Sequence, residues 1–246
     1  MEINKQILSN EEEKNNRDYF FGLYKNNPIP NDEILSNLGL FINRQSLSRI
    51  ILMQELYKKI INVHGVIMEF GVRWGQNLSL FTSLRGMYEP YNITRKIIGF
   101  DTFEGFPTIH PNDGNNKKND YSVTENYEDY LEEIMKYHEQ ESPISHLRKF
   151  EIIKGNVTDT LPEYLKENPE TLIAFAYFDF DLYQPTKFCL KEIKDRLVKG
   201  SIVGFDELNH SKFPGETIAF LEEIGADKYT LHRSVLSPYI SYIIIE

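Results

Sequence analysis

At 246 residues the chain has the length of one α/β domain, enough to bury a sizeable core without disulfide or metal staples. Its 41% hydrophobic and 26% charged residues exclude disorder, collagen and coiled coil. The formal charge of −10, from 27 Lys+Arg against 37 Asp+Glu, removes the general attraction to phosphate backbones and anionic membranes, so neither nucleic acid nor a membrane is an expected partner.

Residues 1–18 are polar, include Glu11, Glu12 and Glu13, and contain no apolar stretch that reads as a leader or a span. With a single cysteine, Cys189, and so no intramolecular disulfide, the expected compartment is the cytoplasm. Residues 1–62 predict a helical cap or lid, irregular at first and then an amphipathic helix over 46–61, where Leu47, Ile50, Ile51, Leu56, Tyr57, Ile60 and Ile61 recur near the 3.6 period. From 63 to 246 the pattern changes to one catalytic domain of short apolar runs alternating with helical stretches. Strands are expected at 66–70, 96–101, 150–153, 172–178, 201–205 and 239–245, with helices at 77–88, 125–138, 160–166, 185–197 and 215–224. Strand–helix alternation implies right-handed crossovers, hence a mostly parallel Rossmann-like sheet with helices on both faces. Residues 229–245 read as a C-terminal antiparallel hairpin on that sheet, and 108–119 as a long polar loop.

Ligands of an open parallel sheet bind beyond the carboxyl ends of its strands. Glu69, Asp101, Asp179 and Asp206 each end an apolar run, which places four carboxylates on one rim. The first turn reads Gly71-Val72-Arg73-Trp74-Gly75-Gln76-Asn77, a G-x-x-x-G spacing in place of G-x-G-x-x-G. A carboxylate at Glu69 beside that turn repels a pyrophosphate and suits an ammonium or sulfonium, which points to S-adenosylmethionine. Asp101, about 30 residues further on, fits a bidentate acceptor for two ribose hydroxyls. Asn156 is placed at the adenine edge, with Thr158 or Asp159 capping the next helix. Arg73 either neutralises the cofactor carboxylate or caps a helix, and Trp74 either touches ligand or packs on the sheet. Asp179, Asp206 and Glu207 form a partial oxygen shell of the kind Mg²⁺ takes. Glu104, Glu125 and Glu216 read as surface or capping residues, and His64, His110 and His232 as exposed.

The runs 66–77, Gly99-Phe100-Asp101-Thr102-Phe103-Glu104-Gly105-Phe106-Pro107, Asp159-Thr160-Leu161-Pro162 and Asp179-Phe180-Asp181-Leu182-Tyr183 resemble class I S-adenosylmethionine-dependent methyltransferases, and more closely the macrocin O-methyltransferase family, over residues 44–224. The resemblance implies methylation of a sugar hydroxyl in natural-product or polysaccharide biosynthesis, with Mg²⁺ held by Asp179, Asp206 and Glu207; Glu207 stands where the family has a second Asp. It implies cofactor contacts from Glu69, Gly71, Arg73, Trp74, Gly75, Asn77, Asp101, Thr102, Phe103, Asn156 and Asp179. Asp181 is the implied general base, with His210 as rival and His138 or His146 arriving on a mobile lid. The expected acceptor is a small molecule, a sugar or nucleotide sugar; a homo-oligomer stays open. A nucleotide-dependent oxidoreductase and a catalytically silent binding module are the alternatives. The aromatic excess, 13% of the chain, is expected to serve partly as pocket wall, through Phe70, Trp74, Phe100, Phe103, Phe106, Phe178, Phe180, Tyr183 and Phe205, and partly as lid.

Overall fold

Apolar runs of five or six residues, too short for helices and bounded by Gly or Asp, form the strands that the pattern predicts. In the computed structural model, which describes residues 9–246, β1 (Val66–Phe70), β2 (Ile97–Asp101), β3 (Phe150–Lys154), β4 (Ile173–Phe178) and β5 (Leu197–Phe205) are parallel, and β6 (His232–Arg233) and β7 (Ser241–Ile244) are antiparallel. Together they make a seven-stranded sheet in the order β3-β2-β1-β4-β5-β7-β6. The order reverses between β1 and β4, and the strand ends there are staggered so that Asp179 N–H donates to Phe70 O and Asp206 N–H to Phe178 O.

The chain divides at Arg49/Ile50 into two units, a boundary that falls inside α2 (Arg44–Ile60). The first unit holds α1 (Glu11–Lys25), capped by Asn10 in a reciprocal box with Glu13, and a 3₁₀ segment at Leu35–Leu40; none of its described residues is buried. Residues 1–8 of the expected cap lie outside the described residues.

The second unit contains the sheet and its two helical layers. Against one face pack the apolar stripe of α2 (Leu52, Met53, Leu56, Tyr57, Ile60) and those of α3 (Gln76–Tyr88) and α4 (Tyr127–Gln140). Against the other pack α5 (Val157–Glu167), α6 (Tyr183–Ile193) and α7 (Gly215–Glu223). Each large apolar side chain fully buried contributes about 1.5–3 kcal/mol, so these two layers hold the sheet between them. Two buried ionic clusters fasten the first layer. Arg85 of α3 donates to Glu139 of α4 and to Lys149 O. Arg95 pairs with Glu89, which also accepts from Tyr57, and donates to the carbonyls of Ile60, Val63 and Gly65. No helix among the described residues is long and apolar enough to cross a membrane.

Several boundaries move. β5 starts at Leu197, four residues earlier than its apolar run, and α5 starts at Val157 because Asn156 caps it. The aromatic expectation needs a larger correction. Phe70, Phe100, Phe178 and Phe205 are fully buried and stack in a row across β2, β1, β4 and β5, with centroids 5.4, 4.8 and 5.3 Å apart. Phe103 and Phe106 are buried as well. These rings are core, because parallel strands are covered on both faces and an apolar residue near a strand end is as often inside as in a pocket.

Candidate active site

The glycine turn is built on its neighbours' backbones. Gly71 has φ 96°, and a Cβ there would run into Asp179 O, so only glycine lets β1 end against the β4 loop. Arg73 follows at φ 50°. What holds this sequence of left-handed residues is Asp101: its Oδ2 accepts from Val72 N–H at 2.7 Å and Arg73 N–H at 2.8 Å, and its Oδ1 from Phe103 N–H at 2.6 Å. A carboxylate has about four acceptor sites, and three are engaged in shaping the two loops. The expected bidentate grip on two ribose hydroxyls therefore competes with the turn itself.

Glu69 and Asn77 are brought together, both buried, with Asn77 Nδ2 donating to Glu69 Oε1 at 2.7 Å. Gly75 caps α3 in the left-handed region. Trp74 is exposed; its ring meets Tyr127 of α4 edge-on at 4.7 Å, and Tyr127 Oη donates to Trp74 O. The Arg73 guanidinium lies 5.8 Å from the Trp74 ring and 5.0 Å from the Tyr121 ring. Thr102 closes the next turn, its Oγ1 donating to Gly105 O at 2.7 Å and accepting from Glu104 N–H. Asn156 is itself the cap of α5, accepting from Thr158 N–H, where Thr158 or Asp159 was expected; Asp159 lies in the first turn.

The β4 and β5 loops gather the remaining acids. Burial and the charges of Glu207, Asp179, Glu216 and Asp206 push the Asp181 carboxyl well above the usual carboxylate range. Asp181 is buried and left-handed, at φ 57°. Asp206 Oδ1 accepts from Tyr177 Oη at 2.6 Å. Asp179, Asp206 and Glu207, the expected metal ligands, do share this corner. Yet no group of three His, Cys, Asp or Glu side chains among the described residues converges to hold a metal ion, and Asp206 points one oxygen back to Tyr177 instead.

Two residues read as peripheral are central. Glu216, expected as a surface or capping residue, is fully buried at the start of α7, where its Oε1 accepts from Phe180 N–H at 3.1 Å and Asp181 N–H at 3.3 Å, and its Oε2 from Glu207 N–H at 3.3 Å. Burial, reinforced by Asp179 and Asp206 and opposed by the Glu207 N–H, pushes its carboxyl up. The polar loop 108–119 is equally integrated. Asp113 is buried and accepts from His110 N–H and Tyr183 N–H, both at 2.6 Å, and Asn116 Nδ2 donates to Asp181 O at 3.3 Å. Just beyond it lies Tyr121, whose phenol is raised by burial and by the charges of Asp181, Glu207 and Asp179, with Arg73 opposing. The signal in the sequence was Pro214-Gly215-Glu216, a helix start beside the acids, but spacing alone does not tell a cap from a buried acceptor.

The histidines separate clearly. His210 is buried between the rings of Phe213 and Tyr239, at 4.9 and 4.6 Å, and burial together with Lys212 lowers its pKa. Its Nδ1 accepts from Lys212 N–H, so the neutral ring carries its proton on Nε2. His138 contacts Ser83, seven residues into α3 and so about 10 Å down the helix from the turn, and His146 is exposed beyond α4; neither forms a lid over the acids. His110 is half-buried, caps the 3₁₀ turn Pro111–Asp113 and stacks on Tyr183 at 4.8 Å.

A family model described as macrocin O-methyltransferase (TylF) matches residues 45–220. The crystal structure of CalS11, a calicheamicin methyltransferase, is 41% identical, covers 99% of this chain and 96% of that one, and superposes with a TM-score of 0.93. An apo structure of CalS11, described as a TDP-rhamnose 3'-O-methyltransferase of calicheamicin biosynthesis, is 40% identical over 97% and 96%, with a TM-score of 0.86. The O-methyltransferase NovP shares the fold, at 18% identity, with a TM-score of 0.60 over 80% and 79%. No curated protein matches the chain.

Proposed function

Since the chain belongs to the macrocin O-methyltransferase family and is an O-methyltransferase, we propose that it transfers a methyl group from S-adenosylmethionine to a hydroxyl of a deoxysugar carried on a nucleoside diphosphate. The observation that carries the reading is the acidic corner at β4 and β5, set against the glycine turn through the Gly71–Asp179 contact, in a chain alike over its whole length to a methyltransferase of TDP-rhamnose. The alternative of a nucleotide-dependent oxidoreductase is displaced because the chain lacks the third glycine of that fingerprint and belongs to a methyltransferase family.

Transfer from a sulfonium is an in-line displacement, so the protein's task is to align donor and acceptor and to remove the hydroxyl proton. The backbone at Gly71 approaches the donor closely, and Glu69, buried behind the turn with Asn77, supplies negative potential toward an ammonium. Asp181 takes the acceptor proton. Its backbone is fixed on both sides, by Glu216 at its N–H and by Asn116 at its C=O. With Nδ1 taken by Lys212 N–H, the neutral His210 ring carries its proton on Nε2 and has no open acceptor nitrogen, which favours Asp181 as the base. The donor chemistry of Asp179, Asp206 and Glu207, all oxygen, suits Mg²⁺, which would have to draw together carboxylates that do not converge in this structure. Bound there, the cation would act as a Lewis acid on the acceptor oxygen. A cytoplasmic location accords with this reading.

The test is methyl transfer from S-adenosylmethionine to TDP-rhamnose, free rhamnose and a rhamnosylated aglycone, read by mass. Turnover of the nucleotide sugar alone is expected; exclusive turnover of the aglycone glycoside places the step after glycosyl transfer. With excess EDTA, turnover should vanish while S-adenosylhomocysteine still binds in calorimetry. Full activity in EDTA removes the metal from the account.

A further inference from the structure

The corner that holds Asp181 depends on an acceptor outside both of its loops. The last ladder bonds are Asp179 N–H to Phe70 O and Asp206 N–H to Phe178 O, and the amides that follow take other acceptors. Three of them, from Phe180, Asp181 and Glu207, converge on one fully buried carboxylate on the second residue of α7. The β4 and β5 loops are separated in sequence, and Glu216 places one oxygen on each.

We propose that Glu216 is a positioning residue of the methyl-transfer site, fixing the base Asp181 and the acid Glu207 relative to each other by accepting the backbone N–H groups of both loops. The inference rests on the O-methyltransferase reading of the acidic corner. Three features of the chain make the arrangement specific to a glutamate here. Gly215 lets α7 begin against the β4 loop, since a Cβ at that position would lie 2.6 Å from Tyr183 N. The helix N-terminus favours a carboxylate in its first turn. Both oxygens accept in the structure, whereas a glutamine would keep one acceptor and turn its NH₂ toward an N–H that already donates.

Because Asp181 is left-handed, its side-chain direction depends on the backbone being held there. Loosening that backbone displaces the reacting groups without touching the glycine turn, whose own amides are held by Asp101. The expected consequence is a change in turnover and not in cofactor affinity.

The experiment compares wild type with Glu216→Gln and Glu216→Asp, using S-adenosylmethionine and TDP-rhamnose for kinetics, S-adenosylhomocysteine for calorimetry, and amide hydrogen exchange by NMR. For Glu216→Gln, kcat should fall on the order of 10- to 100-fold, the loss expected for a misplacement of about 1 Å. The KM for S-adenosylmethionine and the affinity for S-adenosylhomocysteine should stay at wild-type values. Exchange should quicken at Glu207, or at Phe180 and Asp181, and remain unchanged at Val72 and Arg73. Glu216→Asp, which keeps two acceptor oxygens on a shorter stem, should retain more kcat than Glu216→Gln. Wild-type kcat in Glu216→Gln, a loss matched by the unfolded fraction, or unchanged exchange at all three amides overturns the proposal. If Glu216→Gln does not fold, the exchange of Glu216→Asp decides: quickened exchange at any of the three amides supports the proposal, and unchanged exchange at all three overturns it. Absence of wild-type turnover with TDP-rhamnose would count against the acceptor assignment, and the exchange pattern then decides for or against Glu216.

Discussion

The two halves of the site are held by the same device in different places. Asp101 gathers three backbone N–H groups from the β1 and β2 loops, and Glu216 gathers three from the β4 and β5 loops. Asp101 stands at the end of a strand and is half-buried; Glu216 stands on a helix behind its loops and is fully buried. The first carboxylate lies half-buried at the end of β2, on the rim that the proposed function gives to the ligand. The second lies beneath it, so its work is confined to the protein. On the proposed function, the contrast would give the donor half of the site to Asp101 and the acceptor half to the loops that Glu216 holds.

The largest effect that tests this division belongs to the acceptor half. Asp181→Asn removes the group assigned to the proton while keeping the size and the backbone amide that bonds Glu216. Turnover should fall about 10²- to 10⁴-fold, the usual contribution of a positioned base. S-adenosylhomocysteine affinity by calorimetry should hold. Near-normal turnover would exclude Asp181 as base and return the question to another acceptor in the corner.

Asp101→Asn is the matching change in the donor half, with a smaller effect of a different kind. One oxygen remains for three amides, and the NH₂ faces a donor. Leaving such a group unsatisfied costs about 1–3 kcal/mol, or roughly 5- to 150-fold in S-adenosylhomocysteine affinity. At saturating S-adenosylmethionine, kcat should change less than it does in Asp181→Asn. If Asp101→Asn instead lowers kcat at unchanged affinity, the two carboxylates do not divide the site.

The same contrast explains what the sequence made legible. Asp101 was found because a strand that ends in an acid announces itself by position, as do Glu69, Asp179 and Asp206. The parallel core, the C-terminal antiparallel pair and the glycine turn follow from the same local patterns. Glu216 and Asp113 were missed for a different reason. Their distant partners are backbone amides 9 to 36 residues away for Glu216 and 70 for Asp113, and a buried acid accepting backbone N–H groups has the same sequence signature as a surface cap. The loop containing Asp113 and Asn116 is rich in Asn, Asp and Lys, a composition that reads as solvated, yet two of its polar side chains bond the β4 segment inside the fold. Phe70, Phe100, Phe178 and Phe205 err in the opposite direction. Their position near strand ends suggested a pocket, whereas in a sheet covered on both faces they stack into the core.

The smallest expected effect comes from Tyr177, where the two halves meet within the sheet. Tyr177 pairs across to Glu69 on β1 and to Gly204 on β5, and its hydroxyl donates to Asp206 Oδ1 at 2.6 Å. Tyr177→Phe keeps the ring, which packs at 5.9 Å from Phe175, and deletes the donor to Asp206. A single hydrogen bond to a carboxylate contributes about 1.5–3 kcal/mol where the site is closed, but Asp206 is only half-buried and water competes for it, so a several-fold loss of turnover is the expected outcome. Because the lost contact lies on the β5 side, kcat should bear the loss and S-adenosylhomocysteine affinity should not. A fall in affinity equal to the fall in kcat would mean that the donor and acceptor halves are coupled through β4, and that Asp101 and Glu216 hold one site jointly instead of two halves separately.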